Sequence, residues 1–145
     1  MKKLASLTLT LLFAINLLAM PAMAADTSSD YTIYYDDGSY AVVSRNDGLA
    51  RSTTNEIINY TYYNPQNQRC FAYTLYASFT YNGITSRADS CEYAAEIFRH
   101  GWDMTSHSEY VSGNTAYGNA TFTGPDGQTR KASLTLTCDK NGNVT

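Results

Sequence analysis

Side-chain polarity alternates with a period of two along much of this chain, most plainly over residues 71–81. In Phe71-Ala72-Tyr73-Thr74-Leu75-Tyr76-Ala77-Ser78-Phe79-Thr80-Tyr81 the odd positions read Phe, Tyr, Leu, Ala, Phe, Tyr and the even ones Ala, Thr, Tyr, Ser, Thr. Successive side chains on a strand point to opposite faces, so the spacing predicts a half-buried strand with its odd residues in a core. Asn82-Gly83 follows at once and tolerates the positive φ of a tight turn, which predicts a two-residue hairpin.

The same alternation recurs downstream. Ala116, Gly118, Ala120 and Phe122 form one apolar row, and Ala132, Leu134, Leu136 and Cys138 another. The turn signals Ser112-Gly113-Asn114, Gly124-Pro125-Asp126-Gly127 and Asp139-Lys140-Asn141-Gly142 separate and end them. Residues 57–63 read as a strand ending at Asn64-Pro65-Gln66-Asn67. Residues 91–98 fit two helical turns or a strand, and the β surroundings favour strand. The segment opened by Trp102 predicts a strand with Trp102 and Met104 on one face and Asp103, His107 and Glu109 on the other. Tyr31 to Tyr35 and Tyr40 to Arg45 flank Asp36-Asp37-Gly38-Ser39, a hairpin signal. After it, 46–55 is polar linker, so the organisation expected is 25–55 as an N-terminal hairpin with linker and 56–145 as the main domain. Short alternating strands with frequent turns predict an all-β fold. Its expected form is a two-layer antiparallel β-sandwich, immunoglobulin-like, with a small open barrel as the second choice and Trp102 as a core anchor.

Composition adds an address. Lys2 and Lys3 precede an apolar run over 4–20, and Ala22-Met23-Ala24 supplies a small-x-small cleavage pattern, so 1–24 reads as a signal peptide and the product as secreted. The run is too short and mixed for a membrane span, and none is expected after cleavage. Without the leader's two lysines the balance is 8 basic against 13 acidic residues, a net −5 that offers no basic stripe to a nucleic acid.

An oxidising destination would permit a disulfide among Cys70, Cys91 and Cys138. A two-residue hairpin would set Cys70 opposite Ala95 and Cys91 opposite Thr74, too far apart to bridge. Cys91–Cys138 is the pairing expected, with three unpaired thiols as the alternative.

Candidate chemistry is sparse. His100 and His107, with Asp103 and Glu109, invite a metal or acid–base reading, but a solvated polar face accounts for them as well. No nucleophile elbow is present, so no catalytic residue, metal ligand or cofactor is assigned. Tyrosine departs most from average: 13 residues, none in the leader. Tyr60, Tyr62 and Tyr76 are the expected surface platform, since an outward tyrosine presents an apolar ring and a hydroxyl together. The bland account is that tyrosine suits pleated, half-buried surfaces.

Tyr60-Thr61-Tyr62-Tyr63-Asn64, Phe79-Thr80-Tyr81-Asn82-Gly83, Trp102, Ser112-Gly113-Asn114 and Leu134-Thr135-Leu136-Thr137-Cys138 together resemble a group of small secreted bacterial β-domain proteins. The resemblance spans Tyr60 to Asn143. It implies a β fold and paired cysteines at Cys91 and Cys138, and it implies no activity. The expected function is therefore a secreted non-enzymatic module that binds an extracellular glycan or protein. The alternatives are a bacteriocin-like antagonistic factor, or a small metal-assisted hydrolase using the His107 region.

Overall fold

The computed structural model describes residues 30–46 and 52–145. The expected signal peptide and residues 47–51 of the expected linker lie outside these. All regular structure among the described residues is strand: β1 (Tyr31–Tyr34), β2 (Tyr40–Asn46), β3 (Thr53–Tyr63), β4 (Arg69–Tyr81), β5 (Ser86–Ile97), β6 (Asp103–Ser112), β7 (Thr115–Thr123) and β8 (Thr129–Thr137). They form two antiparallel sheets, one in the order β1-β2-β3-β4-β5 and one in the order β6-β7-β8. Neighbours in each sheet are neighbours in the chain, so both sheets are meanders. Greek-key connectivity needs a strand that returns beside a non-consecutive one, and no pairing between the described strands is of that kind.

The period-two rows become the core because one face of each sheet must be covered. Phe71, Tyr73, Leu75, Ala77 and Phe79 of β4 are buried, as are Ala116, Ala120 and Phe122 of β7 and Ala132, Leu134 and Leu136 of β8. Phe71 is the aromatic centre. Its ring lies 3.9 Å from Phe122 across the layers, 5.0 Å from Trp102 and 5.1 Å from Tyr62. Burying one such ring stabilises the fold by about 1.5–3 kcal/mol.

Four expectations change. The N-terminal hairpin is not a separate piece: β2 pairs with β3 from Tyr40↔Tyr63 to Asn46↔Ile57, and β3 begins at Thr53, inside the expected linker. The hairpin after β4 has four loop residues, 82–85, because the Asn82 side-chain oxygen accepts from the amides of Ile84 (3.0 Å) and Thr85 (2.8 Å). With a bulge after Ser78, Cys91 faces Ala77 rather than Thr74, and Ala95 faces Tyr73. A second bulge between Met104 and Ser106 flips the parity of β6, so Met104, not Asp103, shares a face with His107 and Glu109.

The expected Cys91–Cys138 disulfide is absent, and all three cysteines are free thiols. The Cys138 carbonyl accepts from the Ser86 hydroxyl at 2.7 Å, at the start of β5. Cys91 is five residues further along that strand, roughly 16 Å at strand rise, beyond the separation a disulfide spans. Burial pushes all three thiols above their ordinary range.

Candidate functional site

An antiparallel sheet covered on one face leaves the other to solvent, and here the open face of the five-stranded sheet carries the most varied chemistry. Cross-strand register sets its rows. Asn55, Ser78 and Ser90 lie abreast, then Ile57, Tyr76 and Glu92, then Asn59, Thr74 and Ala94, then Thr61, Ala72 and Glu96. A bulge between Tyr62 and Tyr63 keeps Tyr63 and Arg69 opposite one another at the end of the face. The rows are fixed by their own contacts: Thr74 donates to Asn59 Oδ1 at 2.5 Å, and the Ser78 and Ser90 hydroxyls meet at 2.8 Å.

Two depressions open on this face, and Tyr76 lines both. The larger, about 410 Å³, lies over Asn55, Ile57, Ser78, Ser90 and Glu92. The smaller, about 250 Å³, has a floor of Ala72, Thr74 and Ala94, with Thr61 and Glu96 at its sides and Arg69 and Phe98 at its far wall. The floor exists because three small residues sit between large ones. The far wall is firm because the Arg69 guanidinium stands 3.8 Å over the Phe98 ring, a cation–π contact. Beyond it, Tyr40 stacks on Tyr63 at 4.8 Å with rings 9° from parallel, and Tyr34 lies 6.2 Å from Tyr40.

The expected tyrosine platform is corrected. Tyr76 is 41 % exposed, but Tyr60 and Tyr62 are each 1 % exposed. Both stand on the inner face of β3: the Tyr60 hydroxyl meets that of Tyr35 at 2.6 Å, and the Tyr62 ring packs on Phe71 and Trp102. Burial and the Tyr35 hydroxyl push the Tyr60 phenol well above its ordinary range. Besides Tyr76, this face carries Tyr34, Tyr40, Tyr63 and Phe98, and sequence reasoning missed them. A signal for Tyr63 was available: if β3 buries its even residues, the second tyrosine of Tyr62-Tyr63 must face out.

The His107 neighbourhood is assembled in part. Glu109 Oε2 lies 3.1 Å from His107 Nδ1, Tyr73 donates to Glu109 Oε1 at 2.7 Å, and the Tyr93 hydroxyl is 3.2 Å from His107 Nε2. With Nδ1–H donating to the carboxylate, Nε2 accepts from Tyr93, so carboxylate, imidazole and hydroxyl form one chain. The chain ties β4 and β5 of one sheet to β6 of the other. Burial, and then the Glu109 carboxylate, raise the Tyr73 phenol far above its ordinary value. Asp103 faces the other way, and His100 lies exposed in the turn after β5. Among the described residues no three His, Cys, Asp or Glu side chains are placed to hold a metal ion. No helix among them is long and apolar enough to cross a membrane.

A third depression of about 290 Å³ opens at one end of the sandwich, over Cys70 and Trp102. Cys70 itself is only 1 % exposed. Set against known families, curated proteins and solved structures, this chain matches no family model, no curated protein and no solved structure.

Proposed function

We propose that the chain is an exported, non-enzymatic binding module and that a glycan is its ligand, taken up on the open face of the five-stranded sheet. Export rests on the leader pattern of residues 1–24. The observation that carries the binding reading is Tyr76: a half-exposed ring between two depressions whose linings mix hydroxyls, amides and carboxylates with a few apolar side chains. A sugar ring has C–H-lined faces and a hydroxylated rim. The electron-rich face of an aromatic ring takes the first and neighbouring polar groups take the second.

The test is a glycan array probed with the mature protein, followed by titration of the hits against Tyr76→Ala. Removing one exposed ring leaves the core intact, so the variant should melt like the parent and lose at least tenfold in affinity. Undiminished binding by Tyr76→Ala, or an array without hits, would overturn the reading. Two observations weigh against the antagonistic-factor and hydrolase readings. The first reading has no basic amphipathic face behind it, and in the second both nitrogens of His107 already meet Glu109 and Tyr93.

A further inference from the structure

We infer that the ligand of this face is an extended polysaccharide, neutral or amine-bearing, lying along β4 across both sides of Tyr76, and not a single sugar or an acidic glycan. The inference rests on the glycan reading above and adds length, direction and charge to it.

Length and direction come from the rows. The two depressions share Tyr76 and are otherwise lined by different residues. Ser78 and Ala72, which mark their floors, are six residues apart on one strand, roughly 20 Å at strand rise. One sugar ring would fill one side of Tyr76 and leave the other wet. A linear chain running with the strand would meet the hydroxyl row at Ser78 and Ser90, pack on Tyr76, and then cross the low floor of Ala72, Thr74 and Ala94. The floor ends at the Phe98 ring under Arg69, which is the wall a chain would lie against. A chain running across the strands would meet Ile57 on one side of Tyr76 and Glu92 on the other, with a single depression to occupy.

Charge comes from the same map. Glu92 is directly opposite Tyr76, Glu96 is opposite Ala72, and both are exposed. No Lys or Arg lines the larger depression, and Arg69 in the smaller one is turned onto Phe98. Arg87, beyond Ser78, is held by Asp89 at 2.7 Å. A uronic acid or sulfate along this path would approach two carboxylates and meet one cation, Arg69, only at the far wall, whereas a protonated amine would find the carboxylates along the way. Like-charge juxtaposition is how a binding face rejects a wrong partner.

The experiment is calorimetric titration of the mature protein with β-linked N-acetylglucosamine and glucose oligomers of one, two, four and six units, glucosamine oligomers, and oligogalacturonides. Affinity should rise at least tenfold from one unit to four. Glucosamine oligomers should bind at least as tightly as neutral ones at pH 6, and oligogalacturonides at least tenfold more weakly. Glu92→Gln with Glu96→Gln should narrow that charge preference without moving the melting temperature, and Ala94→Trp should abolish the gain from longer chains while leaving short ones bound. Binding that is independent of length, or a preference for galacturonides, overturns this inference while the glycan reading stands. Binding of none of the probes, with Tyr76→Ala inert on every array hit, overturns both.

Discussion

Replacing Gly118 by alanine should destabilise the protein, although the same change in an unconstrained strand would stabilise it. Gly118 lies in β7, opposite Glu109 on one side and Leu134 on the other. A Cβ there would stand 2.9 Å from Leu75 Cδ1 and 3.0 Å from the Tyr73 hydroxyl oxygen. Neither neighbour can retreat cheaply. Leu75 and Tyr73 are both 0 % exposed, and the Tyr73 hydroxyl is held by Glu109 at 2.7 Å. Removing glycine's backbone freedom is worth roughly 0.5–1 kcal/mol in the variant's favour. Forcing a methyl group into a filled core costs about 1–3 kcal/mol, so the net loss should lie within about 0–2.5 kcal/mol, in the upper half because neither neighbour can move away. At roughly 3–5 °C per kcal/mol for a domain of about 100–150 residues, urea titration and calorimetry will resolve it. Adding Tyr73→Phe removes the 3.0 Å oxygen contact, so the double variant should lose less than the two single losses together, with coupling of about 0.5 kcal/mol or more. Stabilisation by Gly118→Ala would refute the close approach of the two sheets at this point.

Three other outcomes test separate parts of the fold. Thiol titration of the denatured, unreduced protein should find all three cysteines free; a count of one would restore a disulfide. Glu56→Ala should cost about 1–3 kcal/mol by leaving the buried Thr54 hydroxyl without the carboxylate it donates to at 2.8 Å and removing that carboxylate from beside Arg45, and a loss under about 0.5 kcal/mol would show that the carboxylate is hydrated. Asp37, Asp89 and Asp139 are each held below the ordinary 3.8, chiefly by side-chain hydrogen bonds from Ser39, Thr80 and Asn143. A carboxyl whose folded pKa is lowered adds stability that is complete above 3.8 and disappears as pH falls through the folded value. Carbon-detected NMR titration should therefore place all three midpoints below 3.8, and a midpoint above it at any one would remove that residue's hydrogen bonds from the account.

The strands whose two faces differ in polarity were legible. β4, β7 and β8 alternate apolar with hydroxylated residues, and their predicted inner rows are buried. β3 hid its start because its buried row opens with polar Thr54 and Glu56, so it read as linker. It hid its faces at the other end because Tyr60, Tyr62 and Tyr63 put aromatic rings on both sides. The bulges of β5 and β6 fall among Ser, Asp and Thr, where an inserted residue leaves no mark on the hydrophobic pattern, and each moved candidate residues from one face to the other. Tyr76 was found because its neighbours Thr74 and Ser78 marked their face as wet. The two depressions beside it were not, because a hollow depends on where small residues fall on adjacent strands.

The consecutive strand order also bears on how fast the chain reaches its native state. Every hydrogen-bonded pair among the described strands is made by strands that follow one another, so no ladder needs the long loop closures that slow Greek-key sandwiches. The non-local step is the docking of β8 beneath the β1–β3 end of the larger sheet, where β8 packs on β3 and its Arg130 reaches Asp37 at 2.5 Å. The refolding barrier should therefore lie in bringing two preformed ribbons together, not in pairing their strands.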